Sequence, residues 1–239
     1  MKYLDLTFPT PEENLACDEV LLDWAEAGAP FEVLRFWEPD DYFIVVGYSN
    51  KAGAEVNLPA CQREGVPLLR RISGGGSVLQ GPGCLNFSLV LKTANSPGLQ
   101  SITQSNALIM ENHRAALQPL IPAPIEVRGI TDLALNGRKF SGNAQRRKKS
   151  FLLFHGTFLL NFDFFLVEKL LPFPSQQPDY RQNRSHRNFL MNLSLAAEEI
   201  KKVLRRFWNA EEEIKGLPFA PIQELAMTRY RDPAWNFKF

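Results

Sequence analysis

The chain has 239 residues, of which 45% are hydrophobic and 22% are charged, and its net charge is +1. This composition excludes a disordered chain and provides no argument for binding to nucleic acid or to a membrane. A chain of this size buries about 70–75% of its unfolded surface, so it needs neither disulfides nor a structural metal. No apolar run reaches the length of a membrane span, and the N-terminus does not resemble a signal peptide. We therefore expect a soluble, cytoplasmic protein.

The first element predicted along the chain is a helix over residues 10–28. Thr10 can cap this helix, Pro11 occupies its first position, and a glycine ends it. Further helices are predicted at 58–65 and 104–120, where apolar residues recur at helical spacing. Strands are predicted where short apolar, β-branched and aromatic runs lie between turn residues: 31–37, 42–49, 66–73, 85–92 and 150–162.

A β-hairpin is predicted over residues 132–145, because Asn136-Gly137 is the strongest short signal for a two-residue hairpin turn. The proline-rich, polar stretch 172–184 is predicted to be a loop, and the residues after it are predicted to be mainly helical. Strands therefore dominate the middle of the chain and helices its two ends. The predicted fold class is α+β, a single domain with a mixed or antiparallel sheet flanked by helices.

Three consecutive glycines, Gly74 to Gly76, follow a pair of arginines. Glycine costs conformational entropy and brings no side chain, so such a run indicates φ > 0 or the close approach of another molecule. The run matches neither a P-loop nor a dinucleotide-binding fingerprint. One interpretation is a plain turn or bulge. The other is a cradle of backbone N–H groups for an anion, with Arg70 or Arg71 as its charged partner.

A second informative stretch covers residues 136–157. Lys139 follows the predicted turn, and Gly142 stands in the predicted strand, where a glycine indicates close approach to the backbone. The basic run 146–149 is interpreted either as a solvated loop or as a docking surface for an acidic protein. His155 is interpreted either as a hydrogen-bonded core histidine or as a residue of the site.

Together these stretches resemble the lipoate–protein ligase A family, whose catalytic domain is shared with biotin protein ligases. The resemblance rests on the motifs RRISGGGSV, LNFSLVL, ITDLALNGRKFSGNAQRR and FHGTFLL, which occur in this order. The N-terminal NLACDEVLL and the C-terminal RYRDPAWNF match the same pattern. The resemblance implies one catalytic domain over residues 1–239, without the C-terminal accessory domain of full-length ligases.

The resemblance also implies a two-step reaction. Lipoate or octanoate is activated with ATP and Mg²⁺ to an acyl-adenylate, and the acyl group then passes to a lysine of a lipoyl acceptor domain or a glycine-cleavage H-like protein. Lys139 is the implied catalytic residue, which contacts the α-phosphate and the acyl carboxylate; no residue is identified as a metal ligand. The other implied residues form two groups: Arg71, Gly76, Ser77, Val78 and Leu79 for the nucleotide, and Trp37, Ser73, Gly75, Gly142 and His155 for the acyl group.

Two features depart from the family pattern. Gln80-Gly81 stands where many members have His-Asp, so a proton-transfer role at this position is in doubt. The absence of the accessory domain leaves alternatives to a self-sufficient ligase. These are a ligase with a separate accessory subunit, an octanoyltransferase that takes its acyl group from acyl carrier protein, and a non-catalytic subunit that binds the acceptor.

The cysteines bear on the octanoyltransferase alternative, because such enzymes work through a cysteine thioester. Cys17, Cys61 and Cys84 are too few and too far apart to predict a disulfide framework or a zinc site. In the transferase branches the nucleophile lies just before the hairpin or in the loop after the last strand. The corresponding stretches here, 122–132 and 172–181, contain no cysteine. The sequence therefore favours the ligase.

Overall fold

The computed structural model of the protein describes residues 1–29, 31–174 and 176–239. The strands, in chain order, are β1 (Lys2–Asp5), β2 (Val33–Trp37), β3 (Phe43–Val46), β4 (Leu68–Arg70), β5 (Val78–Gln80), β6 (Cys84–Lys92), β7 (Glu126–Arg128), β8 (Asp132–Leu135), β9 (Arg138–Arg147), β10 (Phe151–Leu159) and β11 (Glu212–Glu213). The helices are α1 (Pro11–Glu26), α2 (Ala52–Glu55), α3 (Leu58–Glu64), α4 (Ile102–Leu117), α5 (Phe164–Leu170), α6 (His186–Phe189), α7 (Ala197–Phe207), α8 (Phe219–Leu225) and α9 (Pro233–Asn236).

The strands form two mixed sheets within the described ranges. The larger sheet has the order β11-β1-β2-β6-β10-β9-β8-β7. In it β1 runs parallel to β2 and to β11, and the other neighbouring pairs are antiparallel. The smaller sheet has the order β4-β3-β5, with one parallel and one antiparallel pair. Mixed sheets combined with helices confirm the predicted α+β fold class.

The local signals read from the sequence are present in the structure. The Thr10 hydroxyl accepts a hydrogen bond from the Glu13 amide at 3.3 Å, and Pro11 begins α1. Asn136 and Gly137 have φ angles of 50° and 70°, as the predicted two-residue hairpin turn requires. Four strands were not predicted, namely β1, β5, β7 and β11. Each has only two to four residues; β1, β5 and β11 pair with distant parts of the chain, whereas β7 pairs with the adjacent β8.

The two central strands of the larger sheet, β6 and β10, have an apolar and a polar face, because alternate strand residues point to opposite sides. Their apolar side chains, such as Phe87 and Phe154, pack into a core that includes residues of α4 and α7. In the register of these strands, Asn86 pairs with Thr157 and Ser88 with His155. These four polar side chains therefore share the other face, which borders the site.

Two buried arginines join the segments around this polar face. Arg35 on β2 donates to Asp18 of α1 at 2.6 Å. Arg70 on β4 donates to the carbonyl of Asn236 at 2.9 Å and to that of Gly47 at 2.8 Å. The C-terminal segment thus holds the strand that leads into the glycine run. Among the described helices, none combines the length and the apolar character needed to cross a membrane.

Candidate active site

An open cleft of about 1270 Å³ lies along the polar face of the larger sheet. Residues of the glycine run, of the smaller sheet and of the β9 and β10 strands line it. Ser73, which is fully buried, is the member of the predicted set that does not line the cleft. The structure brings the other predicted site residues together in this cleft: Trp37, Arg71, Gly75, Gly76, Ser77, Val78, Leu79, Lys139, Gly142 and His155.

Lys139 is the second residue of β9, just after the hairpin turn, and its side chain reaches the cleft. Its Nζ lies 2.7 Å from Asp132 Oδ1, and a quarter of its side chain is exposed. A Cβ on Gly142 would lie 2.5 Å from this Nζ, so the bare backbone of Gly142 leaves the space that the ammonium group occupies. The glycine in the strand is therefore explained by a lysine that lies above it.

Asp132 is a site residue that the sequence analysis treated only as part of a strand. Its Oδ1 accepts from Lys139, and its Oδ2 accepts a hydrogen bond from the Tyr180 hydroxyl at 2.8 Å. Burial raises the pKa of Tyr180, and the Asp132 carboxylate raises it further, so this hydroxyl stays protonated as a donor. The carboxylate thus ties the lysine to Tyr180 in the segment 176–184.

The glycine run forms a loop that is shaped by its neighbours. Gly75 has a φ of +88°, and a Cβ on Gly47 would lie 2.1 Å from the carbonyl oxygen of Gly75. Both positions therefore exclude a side chain. Apart from Gly76 and its two chain neighbours, no atom of residues 1–29, 31–174 or 176–239 lies within 4 Å of the place where a Cβ on Gly76 would stand, so this residue leaves its side of the loop open.

Arg71 lies beneath this loop. Its Nη2 donates to the carbonyls of Gly74 and Gly76, each at 2.7 Å, and its Nε donates to Ser73 Oγ at 3.0 Å. Burial lowers the pKa of Arg71 to about 10, which leaves the guanidinium charged at neutral pH. In this structure Arg71 holds the loop in shape, and contact with a nucleotide remains a prediction.

His155 belongs to a hydrogen-bonded row behind the cleft wall. Its Nε2 lies 2.6 Å from Ser73 Oγ, and its Nδ1 lies 3.3 Å from Asp18 Oδ2. Burial alone would raise the pKa of Asp18, but the Arg35 guanidinium and the hydrogen bonds to its carboxylate lower it overall. Ser73 is fully buried and accepts from Arg71 as well. The row therefore orients the imidazole at the cleft and does not present a reactive serine.

A second polar row, which the sequence analysis missed apart from Gln80, crosses the cleft wall. Gln80 Nε2 donates to Thr157 Oγ1 at 2.9 Å, and that hydroxyl donates to Asn86 Oδ1 at 2.8 Å. Within the described part of the chain, three buried polar atoms have no hydrogen-bond partner: Gln80 Oε1, Asn86 Nδ2 and the Trp37 indole N–H. Buried polar atoms are normally hydrogen-bonded. This part of the cleft therefore offers donors and an acceptor to a ligand.

The three cysteines are all buried, and none of them lines the cleft. Burial raises the pKa of Cys17 to about 12, and it also raises the pKa of Cys61 and of Cys84. A thiol acts as a nucleophile only as the thiolate. In this structure none of them is a reachable, activated nucleophile.

The chemistry of the side chains also bears on Mg²⁺. Within the described ranges, no three His, Cys, Asp or Glu side chains lie close enough to hold a metal ion. Mg²⁺ that accompanies a nucleotide needs only one or two carboxylates, because phosphate oxygens and water supply its other ligands. The cleft is compatible with an ion that enters on a nucleotide, and no ligand is assigned to it.

The basic run 146–149 does not line the cleft. Arg147 donates to the carbonyl of Leu99 at 2.8 Å, and Lys148 pairs with Asp23. Arg146 is exposed and lies over the ring of Tyr48. Arg146 and Lys149 are therefore the members of the run that are best placed to meet a partner.

The fold is shared with solved structures of lipoate-protein ligases. A crystal structure described as lipoate-protein ligase A bound with ATP has a TM-score of 0.84 and 24% identity, and the match covers 99% of this chain and 98% of that one. A bi-partite lipoate protein ligase from Thermoplasma acidophilum, described with its E2 lipoyl domain, has a TM-score of 0.83 and 23% identity over 99% and 95% of the two chains. At these identities the likeness shows the fold alone.

Residues 10–208 match the model of the family described as lipoyl protein ligase A/B catalytic domain. The chain belongs to this family of lipoyl- and octanoyl-transferring enzymes, which confirms the resemblance. An octanoyltransferase LipM from Geobacillus kaustophilus is 26% identical over 99% of this chain and 98% of its own length. A probable lipoate-protein ligase A from Mycoplasma pneumoniae is 34% identical over 72% of this chain and 49% of its own length. The relative that matches over its full length thus supports the octanoyltransferase alternative, whereas the positions of the cysteines in the sequence favour the ligase.

Proposed function

We propose that this protein transfers a lipoyl or octanoyl group to a lysine of a lipoyl acceptor domain and that Lys139 stabilises the charges that develop. The observation that carries the proposal is the position of Lys139 Nζ above the bare backbone of Gly142, within the cleft that the glycine loop borders. A positioned cation in a partly buried site stabilises a developing oxyanion without reorganisation. The proposal treats residues 1–239 as one catalytic domain.

For the acyl donor, we propose free lipoate or octanoate activated with ATP. The placement of the cysteines supports this choice, since a thioester pathway requires an exposed thiol of lowered pKa, and all three thiols here are buried with raised pKa values. The acyl carboxylate attacks the α-phosphate and releases pyrophosphate. Lys139 balances the charge on the oxygens of both groups during this step.

In the second step the neutral amine of the acceptor lysine attacks the acyl carbonyl of the acyl-adenylate, AMP leaves, and the amide nitrogen loses its proton to solvent. The tetrahedral oxygen that forms requires a donor, and Lys139 supplies it from the same position. A free lysine has a pKa of about 10.4, so only about one in 2,500 acceptor lysines is neutral at pH 7. Desolvation where the acceptor docks increases that fraction.

The second candidate is transfer of an octanoyl group from an acyl carrier protein. The relatives that match this chain over its full length support it, since several are octanoyltransferases. In this chain such a transfer would have to proceed directly to the acceptor lysine or after a rearrangement that exposes a cysteine.

Intact-mass spectrometry of a lipoyl acceptor domain distinguishes the two candidates. The chain is incubated with the acceptor and either lipoate plus Mg·ATP or octanoyl carrier protein. We expect one lipoyl group per acceptor in the first mixture and no change in the second. Modification in the second mixture alone would assign the transferase. A modification in the first mixture that needs an added accessory chain would indicate a bi-partite ligase.

A further inference from the structure

Arg181 is a buried cation in the cleft that no part of the proposed mechanism uses. Only 4% of the residue is exposed, and it lines the same cleft as Lys139. Its guanidinium carbon lies 4.8 Å from the ring centre of Phe173 and 5.0 Å from that of Phe189. Its Nε donates to the carbonyl of Arg184 at 3.0 Å, but its Nη2 has no hydrogen-bond partner among the residues that the structure describes. A buried guanidinium whose N–H group lacks an acceptor costs free energy of folding unless an anion accepts that hydrogen bond.

The surroundings of Arg181 carry an excess of positive charge. Among the described residues, no carboxylate forms an ion pair with Arg181 or with Arg184 beside it. The stretch 172–191 contains three arginines and a single acid, Asp179. Arg138 extends the same cluster, since its Nη2 donates to the carbonyl of Leu190 at 2.6 Å. Such a concentration of unpaired cations favours an anionic ligand.

The segment that carries Arg181 is fastened to the hairpin of the candidate catalytic lysine. The hydroxyl of Tyr180, the residue before Arg181, donates to the carboxylate that holds Lys139. Arg184 Nη2 donates to the carbonyl of Gly137 in the hairpin turn at 2.9 Å. Leu190 forms a β-bridge with Lys139 itself. These contacts place the cation on the structural unit that positions Lys139.

We propose that Arg181 is the anchor of a phosphate-binding subsite in this cleft, next to the subsite of the reacting carboxyl group. A guanidinium fork matches the geometry of phosphoryl oxygens, and the flanking phenylalanine rings shield it from water. This inference rests on the proposed function, because either candidate acyl donor carries such a group. In ATP it is the pyrophosphate portion beyond the α-phosphate. In an acyl carrier it is the phosphate of the phosphopantetheine arm.

Calorimetric titration of matched probes tests the subsite and identifies its source. ATP, pyrophosphate and AMP form one set, and 4′-phosphopantetheine and pantetheine form the other. Arg181→Met removes the charge and keeps an apolar side chain between the rings. Arg114→Met is the control, since the ion pair of Arg114 in the described ranges is with Glu111 on the surface of α4. Thermal melting of each variant confirms that it is folded.

If the nucleotide is the source, Arg181→Met weakens ATP and pyrophosphate by about 10- to 100-fold, the loss of a charged hydrogen bond, and leaves AMP unchanged. If the carrier arm is the source, the variant binds 4′-phosphopantetheine as weakly as pantetheine. Arg114→Met matches the wild type with every probe. A folded Arg181→Met protein that binds all phosphate-bearing probes like the wild type overturns the proposal, and so does a wild type that binds none.

Should Arg181→Met not fold, the structure of the wild type with the tightest probe decides the question. A phosphate oxygen within hydrogen-bond distance of Arg181 Nη2 supports the subsite. Phosphate contacts confined to Arg71 and Lys139 overturn it. A wild type that binds the probes at Arg181 but acylates no acceptor contradicts the proposed function and leaves the subsite standing.

Discussion

Replacing Gly142 with alanine tests the geometry of the site without removing any functional group. The new Cβ would lie 2.5 Å from Lys139 Nζ and 2.6 Å from its Cε. Non-bonded atoms settle at about 3.5–4.0 Å, so the ammonium must retreat by about 1 Å or more. A displacement of this size costs on the order of 10²-fold in rate when the group must meet a reacting atom.

The same substitution is expected to leave the fold almost unaffected. The atoms that clash belong to the end of a flexible side chain of which a quarter is exposed, and its ion pair with Asp132 contributes about 0–1 kcal/mol. Alanine is also more favourable than glycine within a strand. Gly142→Ala should therefore melt within a few degrees of the wild type while kcat/KM for acceptor acylation falls about 100-fold.

Gly53→Ala is the matched control for this comparison. Gly53 lies in α2, where a Cβ would meet no atom of the described residues within 4 Å. This variant should keep wild-type activity and stability. The reasoning is refuted if Gly142→Ala retains the wild-type rate of acceptor acylation, since Lys139 would then act from another position or not at all.

Three other variants test the buried thiol Cys84, the buried imidazole of His113 and the exposed part of the basic run. Cys84→Ala should retain activity with lipoate and Mg·ATP, and loss of activity in a folded variant, with a hydroxylamine-sensitive octanoyl adduct on the wild type, would favour a thioester pathway. Burial lowers the pKa of His113 to about 3, so His113 stays neutral in the folded protein at pH values below 6.5, where the unfolded chain binds a proton. The free energy of unfolding therefore falls by up to about 1.4 kcal/mol per pH unit between pH 6.5 and 3. His113→Leu should flatten this pH dependence in urea titrations and raise the melting temperature, because neither ring nitrogen has a hydrogen-bond partner among the described residues. An unchanged slope would contradict the assignment. Reversal of Arg146 and Lys149 to glutamate should raise the KM for the acceptor in a salt-dependent way and leave acyl-adenylate formation unchanged, whereas an unchanged KM would identify the run as a solvated loop.

Signals confined to a few neighbouring residues predicted much of the fold. The cap of α1 and the hairpin turn at Asn136-Gly137 need only local backbone geometry, and both were predicted correctly. The short strands β1, β5, β7 and β11 were missed because two to four residues carry too little periodicity, and the partners of β1, β5 and β11 lie far away in the sequence.

The candidate site could be predicted where the sequence contains glycine at positions where its conformational entropy makes it costly. Glycines at 75 and 142 pointed to close contacts, and the structure shows the arginine and the lysine that make them. Asp132 and Arg181 were missed, because their roles depend on contacts between segments about 50 residues apart. Asn86 could have been predicted, because polar residues alternate with apolar ones along β6 and mark the face of the strand that borders the cleft.

The most direct test of the account is the turnover of Lys139→Ala. Pyrophosphate release and the intact mass of the acceptor are followed together with lipoate and Mg·ATP, and exposed Lys202→Ala serves as the control. Because Lys139 is assigned to both steps, the account predicts that each falls by about 10²–10³-fold while the melting temperature is kept. A folded Lys139→Ala protein that releases pyrophosphate and acylates the acceptor at near-normal rates would contradict the central claim.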